Sequence, residues 1–270
     1  MELRKILYQE GTKKTVKTVT EFLMSELKNE NLKVDEVLWI VSTDVEIEVA
    51  KKYNVATIGY LDAEIKGQAL WGTEYLVENL ADIDDEYADK VFKRHHRIPW
   101  IIAETDRCII REFEMSDLDN LFELYAKPGI TDFVEPLFSY DEEAEYEKAY
   151  IDNMYRYFGY GMWLVFDKVT GKLIGRAGLE HREFEEERGI ELELGYLFAP
   201  EYQHKGYATE VCEQIIAYAK ENTQFEELNC YINSQNIASI KLAERLGFIF
   251  LGESKEIGKQ MKRYKYILRT

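Results

Sequence analysis

Gln203-His204-Lys205-Gly206-Tyr207-Ala208 is the stretch whose residue types point most directly to chemistry. Gly206 has no side chain, so a ligand can approach the backbone there. After it, Ala208, Val211, Cys212, Ile215, Ile216 and Ala219 keep the i, i+3, i+4, i+7 spacing of a helix with one buried stripe. A loop that opens a helix presents N–H groups without intrahelical partners at the positive end of the macrodipole. The chemistry it suits is binding of a phosphate or pyrophosphate. The same turn is also an ordinary strand-to-helix connection, so the loop alone leaves both readings open.

Several elements must position this loop. Before it, Leu192, Leu194, Tyr196 and Phe198 alternate with Glu191 and Glu193, the period-two pattern of a strand with one apolar face. Pro200 then marks a turn. Beyond the helix, a strand is expected over Phe225 to Ile232 and a further helix over Ile237 to Leu246.

Gln203, Gly206 and Ala208 occupy the three marked places of a pattern that reads Gln or Arg, two residues, Gly, one residue, Gly or Ala. The segment resembles the acetyl-CoA motif of the GNAT N-acetyltransferase superfamily. Asn233 to Ser239, followed by Leu246-Gly-Phe248, resembles that superfamily's second signature, an Asn opening a helix that ends in Gly-Phe. The pairing of Asn236 with Ser239 is most similar to the branch of the RimJ and RimL ribosomal-protein acetyltransferases. The resemblance covers nearly all of Asp106 to Thr270 and implies the mixed α/β GNAT acyltransferase fold, with acetyl-CoA as co-substrate. It implies that two strands splay around the pantetheine arm, which bonds to backbone such as that of Phe198. Gln203 and the N–H groups around His204, Lys205, Gly206, Tyr207 and Ala208 would meet the pyrophosphate, and Asn236 would lie beside the cofactor.

The reaction so implied needs an acceptor amine that has lost its proton, because an ammonium has no lone pair. A carboxylate, commonly acting through water, can take that proton, and backbone N–H groups can stabilise the oxyanion. Glu193 is the first candidate for the base, since it precedes Gly195-Tyr196 on the central strand opposite its apolar face. Glu191, Glu180 and His181 are alternatives. Many members of the superfamily protonate the leaving thiolate with a tyrosine at the position held here by Ala243. Ser239, Tyr231 or water are the substitutes, or the thiolate leaves without an acid.

The first hundred residues form a separate unit. Strand patterns at Lys5 to Gln9, Glu36 to Val41, Ala56 to Tyr60 and Tyr75 to Glu78 alternate with helical ones at Val16 to Asn31, Val45 to Tyr53 and Asp85 to His95. That alternation implies a Rossmann-like parallel sheet with right-handed crossovers. The unit resembles the carboxy-terminal half of a haloacid dehalogenase-like (HAD) hydrolase. Lys13 or Lys14 stands at that family's lysine, and Leu32 to Trp39 resembles its strand leading to the metal-binding loop. The family's leading metal-binding aspartate falls on Ser42 and its later acidic position on Glu46. The nucleophilic aspartate would lie before Met1, so phosphoryl transfer through an aspartyl nucleophile and Mg²⁺ is not expected. The expectation is a truncated, non-catalytic domain over residues 1–104, with Asp44 and Glu46 as surface acids, followed by the acetyltransferase domain over residues 105–270. Arg94-His-His-Arg97 before Pro99 is expected to end a helix, since adjacent residues there point about 100° apart and have no ligand partner at metal spacing.

Composition bounds the remaining classes. Hydrophobic residues make up 46% and charged residues 31%, a globular balance. No apolar run of membrane-spanning length and no signal-like start occurs, so a cytoplasmic location without membrane contact is expected. Cys108, Cys212 and Cys230 are too few and too far apart for a disulfide framework or a zinc site. A net charge of −17 disfavours nucleic acid and is compatible with a cationic amine as partner, though it equally serves solubility.

Within the second domain, Ser116 is expected to cap a helix carrying Leu118, Leu121, Phe122 and Tyr125, and Asp141 to Phe158 to form another. Tyr146, Tyr150, Tyr155 and Tyr157 on that second helix fit either an acceptor pocket or core packing. Met162 to Phe166, Lys172 to Glu183 and the Glu191 strand should form an antiparallel meander. The function so implied is transfer of acetyl from acetyl-CoA to a primary amine, on a protein N-terminus or a small molecule. The appended domain would shape the acceptor site, dock a protein substrate or mediate a homodimer. The other class left open is a non-catalytic regulatory protein that binds CoA or another ligand.

Overall fold

Lys5–Tyr8 (β1), Val37–Val41 (β2), Ala56–Tyr60 (β3) and Leu76–Val77 (β4) form a parallel sheet in that order. It belongs to Met1–Trp100, the first of two units in the computed structural model, the second being Ile101–Thr270. The structure describes every residue except 12–13, 64, 66, 185–188, 257–258 and 270.

Helices Val16–Asn29 (α1), Asp44–Tyr53 (α2) and Asp85–His95 (α3) cover the first sheet. Alternation divides the central strand between two cores: Val37, Trp39 and Val41 join Val19, Leu23 and Ile47, while Leu38 and Ile40 join Ile58, Val91 and Phe92. A strand covered on both faces loses its polar positions, which is why β2 is a continuous apolar run. Thr43 caps α2 and Asp84 caps α3 through side-chain bonds to backbone N–H groups. His95 and His96 do end α3, with His96 at the C-cap and His95 Nε2 3.3 Å from the Asn54 carbonyl.

The second unit opens with Ile101–Glu104 (β5) and Cys108–Arg111 (β6). Ile101–Glu104 is thus an edge strand of the second unit's sheet. Thr105 turns it back: its N–H donates to the Cys108 carbonyl at 2.9 Å and its hydroxyl accepts the Cys108 N–H at 2.8 Å. Leu118–Tyr125 (α4) follows, without the Ser116 cap that was expected. Asp117 stands at the N-cap without a side-chain bond into α4; its carboxylate accepts the Glu114 N–H at 2.9 Å across the preceding 3-10 turn, while Arg111 grips both its oxygens at 2.7 Å. Tyr140–Tyr150 (α5) runs on as a π-helical segment, Ile151–Phe158.

Met162–Asp167 (β7), Leu173–Phe184 (β8) and Gly189–Phe198 (β9) form the expected meander, with residues 185–188 between the last two outside the described residues. Tyr207–Asn222 (α6), Glu227–Asn233 (β10), Ile237–Arg245 (α7), Ile249–Glu256 (β11) and Lys259–Ile267 (β12) complete the unit. The eight-stranded sheet has the order β11-β12-β10-β9-β8-β7-β6-β5, and its β9–β10 pair is parallel while the others are antiparallel. Its core lies between the apolar strand positions and the stripe Val211, Cys212, Ile215, Ile216 and Ala219 of α6.

Candidate active site

Parallel β9 and β10 are in register only at Leu228↔Leu192 and Asn229↔Glu193. Beyond that rung each follows its outer neighbour, β9 pairing with β8 as far as Phe198 and β10 with β12 as far as Asn233. The two central strands therefore part, and a cleft of about 730 Å³ opens beside them. Its walls are Tyr196–Phe198, the loop from Pro200 to Thr209, the first turns of α7 from Asn236, and Pro128–Val134. A volume of that size suits a cofactor-sized ligand.

The loop owes its shape to two left-handed residues, His204 at φ 57° and Gly206 at φ 85°. Such alternation of backbone hand gathers successive N–H groups into an anion-binding concavity. Gly206 is the N-cap of α6 and supplies no side-chain cap, so the first-turn N–H groups keep no side-chain partner there. Gln203 closes the loop on its strand, its Nε2 donating to the Phe198 carbonyl at 2.8 Å. This side chain thus engages the carbonyl of Phe198, the residue whose backbone is expected to meet a pantetheine arm.

Of the residues proposed from sequence, Phe198, Gln203, His204, Gly206, Ala208, Asn236 and Ser239 all line the cleft. Glu193 does not, standing instead on the last β9–β10 rung, and neither do Lys205 and Tyr207: Lys205 is exposed, and the Tyr207 ring packs 4.0 Å from the Arg107 guanidinium and edge-on to Tyr202. Only their backbones belong to the loop. Asn236 caps α7, its Oδ1 accepting the Ser239 N–H at 3.1 Å. Tyr196, which sequence reasoning treated only as a strand residue, ties β9 to α7 by donating to the Ser239 carbonyl at 3.3 Å. Burial pushes its phenol well above the ordinary tyrosine range. Ala243 is buried at 1% exposure, so the position of the family's tyrosine is core here.

Directly paired strand residues share a face. The registers Glu180↔Glu193, Arg182↔Glu191, Asn229↔Glu193 and Tyr231↔Arg263 therefore put all these side chains on one side of the sheet. Glu193 sits on the last β9–β10 rung, where the strands part, and accepts a 2.7 Å bond from Arg182 Nε. Glu191 accepts from Tyr231 Oη and Arg263 Nη2, each at 2.7 Å, and Arg263 also bonds Asn229 Oδ1. Glu180 is exposed, with Tyr150 Oη 3.3 Å away. His181 pairs with Leu192 on the opposite face and packs on Phe158 at 4.6 Å, so it is parted from the carboxylates. Tyr150 and Tyr155 are core residues that hold the Met162 backbone, Tyr150 Oη accepting its N–H at 2.7 Å and Tyr155 Oη donating to its carbonyl at 2.6 Å.

The first unit corrects the reading of Glu46. It is fully buried rather than on the surface, and its Oε1 pairs with Lys14 Nζ at 2.7 Å. Its other oxygen accepts the Ser42 N–H at 3.0 Å and the Thr43 hydroxyl at 2.9 Å, while Lys14 also reaches the Gln9 carbonyl. A carboxylate can be buried this way because each of its oxygens meets a donor and the lysine supplies the counter-charge. Asp44 is exposed as expected, and Lys13 lies outside the described residues. Among the described residues no group of three or more His, Cys, Asp or Glu could hold a metal ion, and no helix is long and apolar enough to cross a membrane. The three cysteines are free and buried, and burial pushes the Cys108 thiol up to about 11.

Residues 107–249 match the family model described as the acetyltransferase (GNAT) domain. YkkB of Bacillus subtilis, an uncharacterized protein, is 30% identical over 159 residues, which span 58% of this chain and 89% of YkkB. Among solved structures, RimL, a ribosomal L7/L12 α-N-protein acetyltransferase in complex with coenzyme A, superposes with a TM-score of 0.52 at 17% identity, over 62% of this chain and 98% of that one. A spermidine N-acetyltransferase SpeG chimera from Vibrio cholerae and hSSAT superposes with a TM-score of 0.50 at 22% identity, over 60% of this chain and 95% of that one.

Proposed function

The chain belongs to the GNAT family of acetyltransferases, and from that premise we propose that it transfers the acetyl group of acetyl-CoA directly to a primary amine, on a protein N-terminus or a small molecule. The observation that carries the proposal is the cleft where β9 and β10 part, floored by an α6 N-terminus without a side-chain cap. The N–H groups from His204 to Ala208 would hold the pyrophosphate, and the strand edge at Tyr196 to Phe198 would take the pantetheine arm. Asn236 would contribute its amide nitrogen, its oxygen being committed to the α7 cap.

Glu193 is proposed as the base, directly or through water. What supports this is its position on the last shared rung, beside Arg182, where the two strands separate. The amine proton passes to that base, the amine lone pair forms the new C–N bond, and the C–S bond breaks to release the CoA thiolate. Ser239, on the cleft wall, is proposed to relay a proton from water to the thiolate, accepting one as it passes its own on.

The first unit, proposed as a domain over residues 1–104 ahead of an acetyltransferase domain over 105–270, is read as a HAD-like relative without hydrolase activity. What supports this is the closed Lys14–Glu46–Ser42–Thr43 cluster at the carboxyl end of β2, where a charged lysine fills the acid's coordination. A cytoplasmic location suits three free cysteines. Isothermal titration with acetyl-CoA, followed by acetylation assays over a panel of amines, tests the proposal. Micromolar binding with transfer to at least one amine is expected; absence of binding would defeat the reading.

A further inference from the structure

Arg107 lies in the turn before β6, 98 positions from Lys205 and 103 from Glu210, and it grips both. Its Nε donates to Glu210 Oε2 at 2.7 Å, its backbone N–H to Glu210 Oε1 at 3.0 Å, and its Nη1 to the Lys205 carbonyl at 3.0 Å. The guanidinium also covers the Tyr207 ring at 4.0 Å. Glu210 stands in the first turn of α6, so one side chain fixes the peptide before the N-cap and the turn after it.

The Lys205–Gly206 peptide is trans, and across a planar trans peptide the C=O and N–H point in opposite directions. Drawing the Lys205 carbonyl toward Arg107 therefore turns the Gly206 N–H away from Arg107. A Cβ added to Gly206 would also meet Arg107 Nη2, at 3.5 Å, so the guanidinium occupies the back of the loop while Gly206 lines the cleft at its front. Glu210 balances the guanidinium charge, which leaves orientation rather than net positive charge as what Arg107 supplies.

We propose that Arg107 is a positioning residue for diphosphate recognition: it sets the Lys205–Gly206 peptide and the first turn of α6 so that their N–H groups face the pyrophosphate. The inference rests on the acetyl-CoA reading above. Only ligands that carry the diphosphate use this loop, so the test compares acetyl-CoA with S-acetylpantetheine, which lacks it.

In titrations of the full chain, Arg107→Gln should weaken acetyl-CoA roughly 10- to 100-fold, the range of one or two hydrogen bonds to a charged group. Binding of S-acetylpantetheine should stay as in the wild type. Equal losses for both ligands, or no loss for either, would overturn the proposal. Should Arg107→Gln fail to fold, Arg107→Lys replaces it: a single nitrogen keeps the charge opposite Glu210 but cannot also fork to the Lys205 carbonyl. The same split is expected, and wild-type affinity for acetyl-CoA in that variant would overturn the proposal. A wild type that binds neither ligand would bring down the acetyl-CoA reading itself, an outcome distinct from a failure of Arg107 alone.

Discussion

Arg182 Nε donates to Glu193 Oε2 at 2.7 Å, diagonally between neighbouring antiparallel strands and two residues off the direct register in which Glu193 faces Glu180. The proposed base is thus tied to Arg182 by an ion pair at the rung where β9 and β10 separate. Glu193→Gln keeps the shape and removes the proton acceptor. Turnover should fall about 10²- to 10⁴-fold with little change in acetyl-CoA affinity. Steady-state kinetics with an identified amine checks this, and an unchanged kcat would move the base to Glu191 or Glu180.

Gly206 holds φ 85°, a conformation costing most L residues about 1 kcal/mol, and it fronts the cleft. Gly206→Glu adds that strain and a negative charge where a pyrophosphate is proposed to sit. Acetyl-CoA affinity should drop by at least roughly 100-fold, about 2.7 kcal/mol. Titration calorimetry reads the change, and retained binding would remove the anion from this loop.

Glu46 and Lys14 are 0% and 4% exposed at the side chain, so neither charge can turn to water when its partner is lost. Glu46→Ala should destabilise the first unit by about 3–5 kcal/mol, because it leaves an ammonium buried without its counter-charge. Lys14→Met combined with Glu46→Leu should recover most of that loss. Thermal melts of the two variants test the pair, and a mild effect of Glu46→Ala would show that the cluster relaxes.

Burial, with the neighbouring His95 charge second, holds the His96 imidazole below the ordinary histidine range. Its protonated form is therefore disfavoured in the folded state, and stability is full above the unfolded value near 6.5 and declines as pH falls from there toward the depressed folded value. Denaturant melts of the first unit between pH 7.5 and 5 should show the decline, and His96→Phe should flatten that part of the profile. An unchanged slope in the variant would assign the dependence to other groups.

Much of the fold was legible because its signals are local. The period-two run from Leu192 to Phe198 and the helical stripe from Ala208 to Ala219 reflect side-chain directions fixed by backbone geometry within a few residues. The loop motif was legible for the same reason, since Gly206 must bend where α6 begins. Ser116 was misread because a partner on β6 decided the start of α4: Arg111 holds Asp117 at the N-cap position, where its carboxylate closes the preceding turn onto Glu114.

What the sequence by itself determined is the order of elements, the apolar faces and the six-residue loop with its N-terminal anion geometry, all properties of short chain segments. Tertiary structure alone decided which charges meet: Arg107 with Glu210 across 103 positions, Lys14 with Glu46 across 32, and Arg263 with Glu191 across 72. It also decided that Glu46 is buried and that His181 faces away from Glu193. A charged residue carries no local mark of its partner, because the free energy of an ion pair depends on distance and desolvation, and both are set only when distant strands and helices close on one another.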